Sequence, residues 1–467
     1  MSAVKMNFNW SLFAMINIMN NRSLILLVAI LASFVAFLDS SVVGVALPQI
    51  SEQLGGGLST QQWVNDAYLI TLGSLILAAG SLSDIFGRKK IIVYGLIGFL
   101  VTSILCAIAP TAEVLVVARA LQGVAGALLV PSSLALIVGA FSGPAQSKAI
   151  GSWTAWTGAA FIIGPLVGGL LVDFLSWRWV FIINVVPIAV ALILLRKMHF
   201  EEQLNQSKKL DIPGVILGAV GLAGIVFALI EQGNFGWANP LIWVTFAVGV
   251  ICLSSFIYHE SKTKYPMLPL GLFSVRNFSA GNIATFFIYA ALSLQGFILV
   301  IFLQQVAGYS ATLAGLVSLP ITILMLLLSS KFGALAGKYG PRLFMTLGPI
   351  VSSIGVFSMV SVQIPVNYWA QLLPGILLFG IGLSITVAPL TSAVLGSIKT
   401  SQAGIGSAVN NAVSRIAGLI AVAIIGVFAG TSLDLEGFRV GIVICAALLF
   451  VGGAVSFVGI TNRSRVS

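Results

Sequence analysis

Four ionisable side chains stand among almost wholly apolar neighbours: Asp39, Asp66, Arg119 and Arg415. A charged side chain at the centre of a bilayer costs about 2.5–3.5 kcal/mol on insertion scales, so each marks a candidate functional position. Asp39 lies 15 residues into the apolar run 24–46. At about 1.5 Å per helical residue it falls slightly outward of the midplane. Arg119, in the run 114–138, falls about 7–8 Å below the outer end of that run by the same rise. The two are expected to share a depth. Burial disfavours an ionised carboxylate and a nearby arginine favours it, so a group held between them can exchange a proton near neutral pH. The expected chemistry is proton transfer, with Asp39 taking a proton from outside and Arg119 governing its protonation and access. A static ion pair is the competing reading.

Asp66 stands in Trp63-Val-Asn65-Asp66-Ala-Tyr68, near the outer end of the run 63–82. It reads either as a second acid that attracts cationic substrates or as a solvated helix-end carboxylate. Glu231, at the outer end of 213–231, reads as solvated. Arg415, with Asn410 and Asn411, is expected to orient its helix across a cavity or to contact substrate. Phe161, Phe286, Phe287, Tyr289, Gln295 and Phe297 are candidates for the cavity wall. Each reads more readily as a lipid-facing or packing residue, because sequence does not fix helix rotation.

These residues need a membrane scaffold around them. Of 467 residues, 58% are hydrophobic and 8% charged, with mean hydropathy +1.08. Soluble domains are about 45–50% apolar and about 25% charged. The chain therefore reads as an integral membrane protein. Disorder, a collagen-like repeat and a secreted disulfide scaffold are excluded. The net charge of +10 fits cytoplasmic loops better than nucleic-acid binding. Cys106, Cys252 and Cys445 are scattered through apolar runs and read as small buried hydrophobes. His199 and His259 stand where apolar runs end and read as interfacial. No metal-ligand spacing and no cofactor motif are found. Residues 7–19 read as an interfacial lead-in and not as a cleaved signal.

A helical span needs about 20 apolar residues. Fourteen runs qualify: 24–46, 63–82, 91–109, 114–138, 149–171, 179–195, 213–231, 240–258, 279–302, 313–332, 343–361, 369–391, 404–429 and 438–460. They are continuous and not alternating, which excludes a strand barrel. An even number puts both termini on one side. With that side cytoplasmic, 19 of the 23 Lys and Arg fall there, and only Arg178 and Arg439 fall at outer ends of spans. That asymmetry is a positive-inside signal.

The chain also repeats itself. A shift of 253 residues lays Gly80 and Gly87 on Gly333 and Gly340, and spans 1–6 on spans 9–14. The expected fold is all-α, with two six-helix bundles and a two-helix insert. Residues 1–200 form the first bundle, 201–275 the insert with its cytoplasmic joints, and 276–467 the second bundle. Parallel halves of this kind are a transporter design. The role of the inserted pair stays open between spacer, lipid contact and partner surface.

Gly80-x-Leu82-x-Asp84-x-x-Gly87-Arg88-Lys89-Lys90 is similar to the signature loop between helices 2 and 3 of the major facilitator superfamily. Its glycines permit a tight turn. Asp84 can bond an adjacent helix N-terminus or Arg88, which makes the loop a breakable latch. Leu38-Asp39-Ser-Ser-Val42-Val-Gly-Val-Ala46-Leu47-Pro48 resembles the first-helix motif of the drug/proton antiporter branch. That branch usually has Thr at Ser41 and Asn at Gly44. The resemblance therefore carries Asp39 over, but not a polar substrate contact at Gly44. Arg119-Ala-Leu-Gln122-Gly123-x-x-Gly126 resembles the fourth-helix motif, whose arginine the family links to proton coupling. Gly151, then Gly164-Pro165-Leu-Val-Gly168-Gly169, resembles the fifth-helix antiporter motif, with Ala160 at its usual middle glycine. Trp177-Arg178-Trp179-Val-Phe181-x-x-Asn184 follows, as in the same branch. The matches run through residues 38–184. They are looser in the second half, at Gly333–Arg342 and Asn411-x-x-x-Arg415. Gly164 and Gly168 allow close helix contact, and Pro165 is expected to kink its helix at the interface of the halves.

The resemblance, to the fourteen-span drug/proton antiporter subfamily, implies multidrug efflux. Protons enter down their gradient, and an apolar cationic compound leaves by alternating access. The alternative cargo is an endogenous amino acid, lipid or antibiotic, since one fold serves many cargoes. The expected partners are small-molecule substrate, protons and membrane lipid, and the expected state is a monomer in the cell membrane. An enzyme would need intramembrane His, Cys or paired carboxylates at catalytic spacing, which are not found. No G-x-x-x-x-G-K-[ST] provides a nucleotide site, and the half-to-half repeat favours a transporter over a channel.

Overall fold

The computed structural model describes residues 20–200, 202, 210–399 and 402–462. The lead-in at 7–19, Lys5, Lys208, Lys209, Arg463 and Arg465 lie outside the described residues. Fourteen helices are long and apolar enough to cross a membrane. In hydrocarbon a helix is the simplest way to satisfy every backbone polar group within one segment. They are α1 (Asn21–Leu54), α2 (Gly57–Phe86), α3 (Arg88–Ala107), α4 (Ala112–Ala140), α5 (Gly143–Phe174), α6 (Trp179–Lys197), α7 (Ile212–Phe235), α8 (Pro240–Lys262), α9 (Arg276–Val306), α10 (Ala311–Tyr339), α11 (Pro341–Ser361), α12 (Tyr368–Leu395), α13 (Gly404–Ala429) and α14 (Leu435–Gly459). Each expected run overlaps one helix. The run 91–109 overshoots α3, which stops ahead of Pro110 because proline disfavours helical backbone before it.

Local chemistry sets the helix ends. The side chains of Asn20, Thr111 and Asp434 accept the N–H of Ser23, Val114 and Gly437, the positions where a helix start has spare donors. Gly87 (φ 98°) separates α2 from α3, and Gly340 (φ 89°) separates α10 from α11. Both sit in the left-handed region that favours glycine, so the repeat preserves the same sharp turn in each half.

In the first bundle α2 packs on α4, α1 on α5 and α3 on α4. In the second, α11 packs on α12 and α14, α9 on α14 and α10 on α12. The insert pairs α7 with α8, and α8 is covered by little else. Leu222, Val226 and Ile230 of α7 cluster with Ile70 of α2 and with Leu419 and Ala423 of α13. The insert thus lies along the seam where the two bundles meet.

Among the described residues, the hydrogen bonds between the bundles gather at the end remote from the termini. The Asp173 carboxylate accepts the N–H groups of Ala311 (3.0 Å) and Thr312 (2.8 Å) at the start of α10. Gln62 Nε2 donates to the carbonyls of Val422 (2.7 Å) and Ala423 (3.2 Å). Gln304, in a π-helical turn ending α9, donates to the Val45 carbonyl (3.0 Å). A Cβ at Gly169 would lie 2.5 Å from the Thr312 Cα. Gly315 approaches the Pro165 carbonyl as closely, so two glycines set this contact. Cys106 and Cys445 are buried as expected, whereas Cys252 is only half-buried, because α8 has few neighbours to cover it.

Candidate functional site

The first bundle's centre is assembled from five helices. A Cβ at Gly123 would collide with the Tyr68 carbonyl and with Thr71, so α4 presses directly on α2. That approach brings Arg119 Nε to the Val64 carbonyl (3.0 Å). Arg119 Nη1 then reaches Asp39 Oδ2 at 2.6 Å, with the two side chains 1% and 0% exposed. The expected pairing by depth is therefore observed as a direct contact.

The rest of the shell is neutral, and all of its polar side chains bond within it, although Asn184 Oδ1 is buried without a partner. Arg119 Nη1 also donates to Gln122 Oε1 (2.6 Å). Gln122 Nε2 (3.1 Å) and Asn184 Nδ2 (2.9 Å) both donate to Asp39 Oδ1. The same two amides reach Ser103 Oγ, at 2.9 and 3.3 Å. The Arg119 guanidinium lies 4.4 Å from the Tyr68 ring centroid and 5.9 Å from that of Phe181, a cation–π arrangement. Every group bonded to Asp39 is a donor, which is the partner set of an ionised carboxylate. A buried ion pair recovers its desolvation cost only when its remaining polar atoms are satisfied in this way.

Sequence reasoning quoted Gln122 and Asn184 as motif residues without a role, and it missed Ser103 and Tyr68. The i, i+3 spacing of Arg119 and Gln122 signals a shared face. Nothing local gives Asn184 or Ser103 a role: Asn184 reaches Asp39 from an irregular turn within α6, and Ser103 of α3 accepts from the two amides that bond Asp39.

Asp66 is not a solvated helix-end carboxylate. It is fully buried. Its Oδ1 accepts from Asn65 Nδ2 (2.8 Å), and its Oδ2 has no hydrogen-bond partner. It lies on the α2 face between Gln62 and Gly73, both of which meet α13. Glu231 is not simply solvated either. It accepts from Trp63 Nε1 (2.6 Å), Asn234 Nδ2 (2.8 Å) and Ser59 Oγ (3.3 Å), because α7 docks on α2 there.

The other candidates separate. Arg415 lies 5.2 Å from the Phe37 ring at the seam, and Phe37 meets Phe161 edge-on at 5.6 Å. Asn410, and not Asn411, crosses to α9, donating to Thr285 Oγ1 (2.8 Å) and Asn282 Oδ1 (3.1 Å). Asn411 bonds the Ser407 carbonyl of its own helix. Tyr289 is half-buried, and Gln295 is buried with its Nε2 unpartnered. Phe297 is buried in packing. In α5, Gly164 and Gly168 press on Ser41 and Val42 of α1, and Gly169 presses on α10, whereas Gly151 faces open space. α5 continues unbroken past Pro165.

In the loop after α2, Arg88 Nη2 stands 3.9 Å from Asp84 Oδ1, partly exposed. The N-terminus of α3 is held by Glu202, whose carboxylate accepts the N–H groups of Arg88 and Lys89 at 2.8 Å each. Sequence reasoning missed Glu202, which lies more than a hundred residues away from the helix it caps. Asp173 was missed as well, although a lone acid following Gly168-Gly169 is a legible signal.

Comparison with known proteins agrees with this architecture. The family profile described as "Major Facilitator Superfamily" matches residues 29–422 and 281–466. The chain is 33% identical over 407 residues to the methylenomycin A resistance protein of Bacillus subtilis (strain 168), covering 86% of each chain. It is 30% identical to the puromycin resistance protein of Streptomyces alboniger, covering 95% of this chain and 92% of that one. It is 31% identical to the B. subtilis multidrug transporter protein MdtP, covering 87% and 75%. Among solved structures, a D-xylose-proton symporter superposes with TM-score 0.68 at 15% identity, covering 95% of this chain and 99% of that one. With a transporter fold, a matching profile and relatives above 30% identity, this chain belongs to the Major Facilitator Superfamily and is a multi-pass membrane transporter, not an enzyme.

Proposed function

We propose that this protein is a proton-coupled exporter of apolar drugs, working by alternating access in the cell membrane with both termini in the cytoplasm. The observation that carries the reading is Asp39, a fully buried acid bonded only by donors and paired with Arg119. The relatives are named for resistance to methylenomycin A, to puromycin and to multiple drugs, which supports outward transport of drugs. With the termini inside, the end at which the bundles bond to each other is the outer one, which supports an inward-facing reading. Asp39 is sealed here, so proton and cargo meet the network in different conformations and not side by side. Protonation of Asp39 from outside removes the partner of Arg119. The freed guanidinium then favours the rearrangement that returns the carrier. A ligand shifts such an equilibrium only through its differential affinity for the two states, and the Arg119–Asp39 contact supplies that difference. Asp66, buried at the α2–α13 seam with an orphan oxygen, serves as a second acid in the same cycle.

Cargo is proposed to meet Phe37, Phe161, Tyr289 and Arg415 between the bundles. A second reading of the cargo follows from Arg415. It has no acidic partner among the described residues, and an uncompensated cation at the seam favours neutral or anionic compounds over cations. Ethidium and a neutral antibiotic, loaded into cells carrying the protein, separate the two. The central test is efflux by wild type, Asp39→Asn and Asp66→Asn, with and without a proton uncoupler. Uncoupler-sensitive efflux that is lost in Asp39→Asn is the expected result. Proton-driven efflux persisting in Asp39→Asn would sink the assignment.

A further inference from the structure

The foot of the insert, on the termini side, holds a cluster that the transport reading does not use. Asp211 precedes α7, and its Oδ1 accepts the Gly214 N–H (3.0 Å) and lies 2.7 Å from His259 Nε2. Glu260, near the end of α8, accepts the Leu268 N–H on Oε2 (2.9 Å). The remaining oxygens, Asp211 Oδ2 and Glu260 Oε1, are buried and have no donor. They converge on one point. A Cβ at Gly214 would stand 2.6 Å from the first and 2.8 Å from the second. The two orphan oxygens therefore face the same small space over Gly214. The residues are 8% and 3% exposed.

Two buried, adjacent carboxylates cannot both stay ionised, and an unpartnered buried acceptor costs about 1–3 kcal/mol. A single hydrogen resolves both defects. Placed on Glu260 Oε1, it donates to Asp211 Oδ2 and leaves each carboxyl oxygen of the cluster with a partner. We propose that Asp211 and Glu260 bind one proton between them, with His259 as donor to the Asp211 carboxylate, and that this proton clasps the two joints of the inter-bundle connection. One joint ends at Asp211. The other begins after α8 and is tied to Glu260 through Leu268. Only Gly214, which lacks a side chain, leaves room for the clasp.

The charged groups around the pair are few. Asp211 itself caps the start of α7, and α8 presents His259 and Glu260. Lys262 and Lys264 of the following segment are exposed, with Lys264 over the Tyr265 ring. Lys208 and Lys209 lie outside the described residues. The clasp is complete while the proton is bound. As pH rises the proton leaves to solvent, two carboxylates face each other and the joints separate. The clasp thus reads the pH on the termini side, independently of Asp39.

Infrared spectra of the purified full-length protein in lipid nanodiscs test this. The wild-type minus Glu260→Gln difference is expected to show the carbonyl band of one protonated carboxylic acid, which disappears on raising the pH. Asp211→Asn is expected to lose the same band although Glu260 is still present, because the new amide donates to an ionised Glu260. A second readout is amide hydrogen exchange over 263–270, corrected for intrinsic rates. Wild type should lose protection as pH rises. Glu260→Gln, whose amide N–H takes the place of the proton, should keep it at every pH. A missing band in wild type, a band that survives Asp211→Asn, or an unchanged pH response in Glu260→Gln each overturns the proposal. Should Glu260→Gln fail to fold, the wild-type titration and Asp211→Asn still decide it.

Discussion

The two bundles share one architecture and differ in what their centres hold. In the first, Asp39, Tyr68, Ser103, Arg119, Gln122 and Asn184 form a charged, closed network. The shift of 253 that aligns the halves lays these positions on Leu292, Ile321, Val356, Leu372, Gly375 and Gly437. Of these, Ile321, Val356 and Leu372 are buried in apolar packing. The bonds that join α9 to α13 in the second bundle, between Asn410, Asn282 and Thr285, are neutral. The same asymmetry recurs at the helix start after each sharp glycine turn. Glu202 caps α3 with a charge, whereas neutral Asn462 accepts the Arg342 N–H at α11 (3.1 Å). A repeat thus conserves the scaffold while the buried ion pair is confined to the first half; the second contributes Arg415, a lone cation at the seam with no acidic partner among the described residues. One bundle can carry the proton chemistry while the other packs and pivots against it.

Substitutions can break or sharpen that contrast. The largest effect is expected from Arg119→Ala, which strands Asp39. Removing one partner of a buried pair costs about 3–5 kcal/mol. Thermal melting in detergent should fall steeply, and uncoupler-sensitive efflux should vanish. The aligned Leu372→Ala should also destabilise, by about 2–5 kcal/mol for a buried leucine, yet leave the pH dependence of efflux unaltered. If Leu372→Ala shifts that dependence, the division of labour is wrong. The neutral pair Asp39→Asn with Arg119→Gln should melt well above Arg119→Ala while staying uncoupled, since replacing both charges is often tolerated.

Next in size is Gly169→Val at the closed end. Overpacking costs about 1–3 kcal/mol, and the added side chain meets the Thr312 backbone. Efflux should drop, and a thiol reagent should reach a cysteine placed at Gln62 more readily from the remote side. Unchanged labelling would show that this contact does not hold the end shut. Asn410→Ala removes hydrogen bonds worth about 1 kcal/mol each, so a modest fall in melting temperature without loss of coupling is expected. Smallest is Glu202→Gln, at about 0.3–1 kcal/mol for a charge at a helix N-terminus. Its effect should shrink in high salt, unlike that of Asn462→Ala.

Much of the fold was legible because lipid imposes a one-dimensional constraint. Span length and apolarity read directly as helices, and Gly87 and Gly340 mark turns whose backbone only glycine adopts readily. Asp39 and Arg119 could be paired because the helical rise converts sequence position into depth. Depth is not azimuth. Asn410 and Asn411 are neighbours in sequence, yet only Asn410 faces α9. Asp66 read either as a second acid or as a solvated helix-end carboxylate, and it is buried, since α7 and α13 cover that face of α2. Glu231 looked solvated and proved bonded by Trp63 for the same reason.

By itself the sequence determined the number and order of the spans, the internal repeat and the residues too costly to bury without purpose. Each of these depends on composition or on distance along one helix. The tertiary structure alone decided that Gln122 and Asn184 close around Asp39 with Ser103 behind them, that Glu202 caps α3 and that Asp173 ties α5 to α10. It alone brought Asp211 and Glu260 to one point beside Gly214. Those contacts join segments far apart in the chain, and they are set by how the helices rotate and pack against one another, which hydropathy along a single helix does not encode.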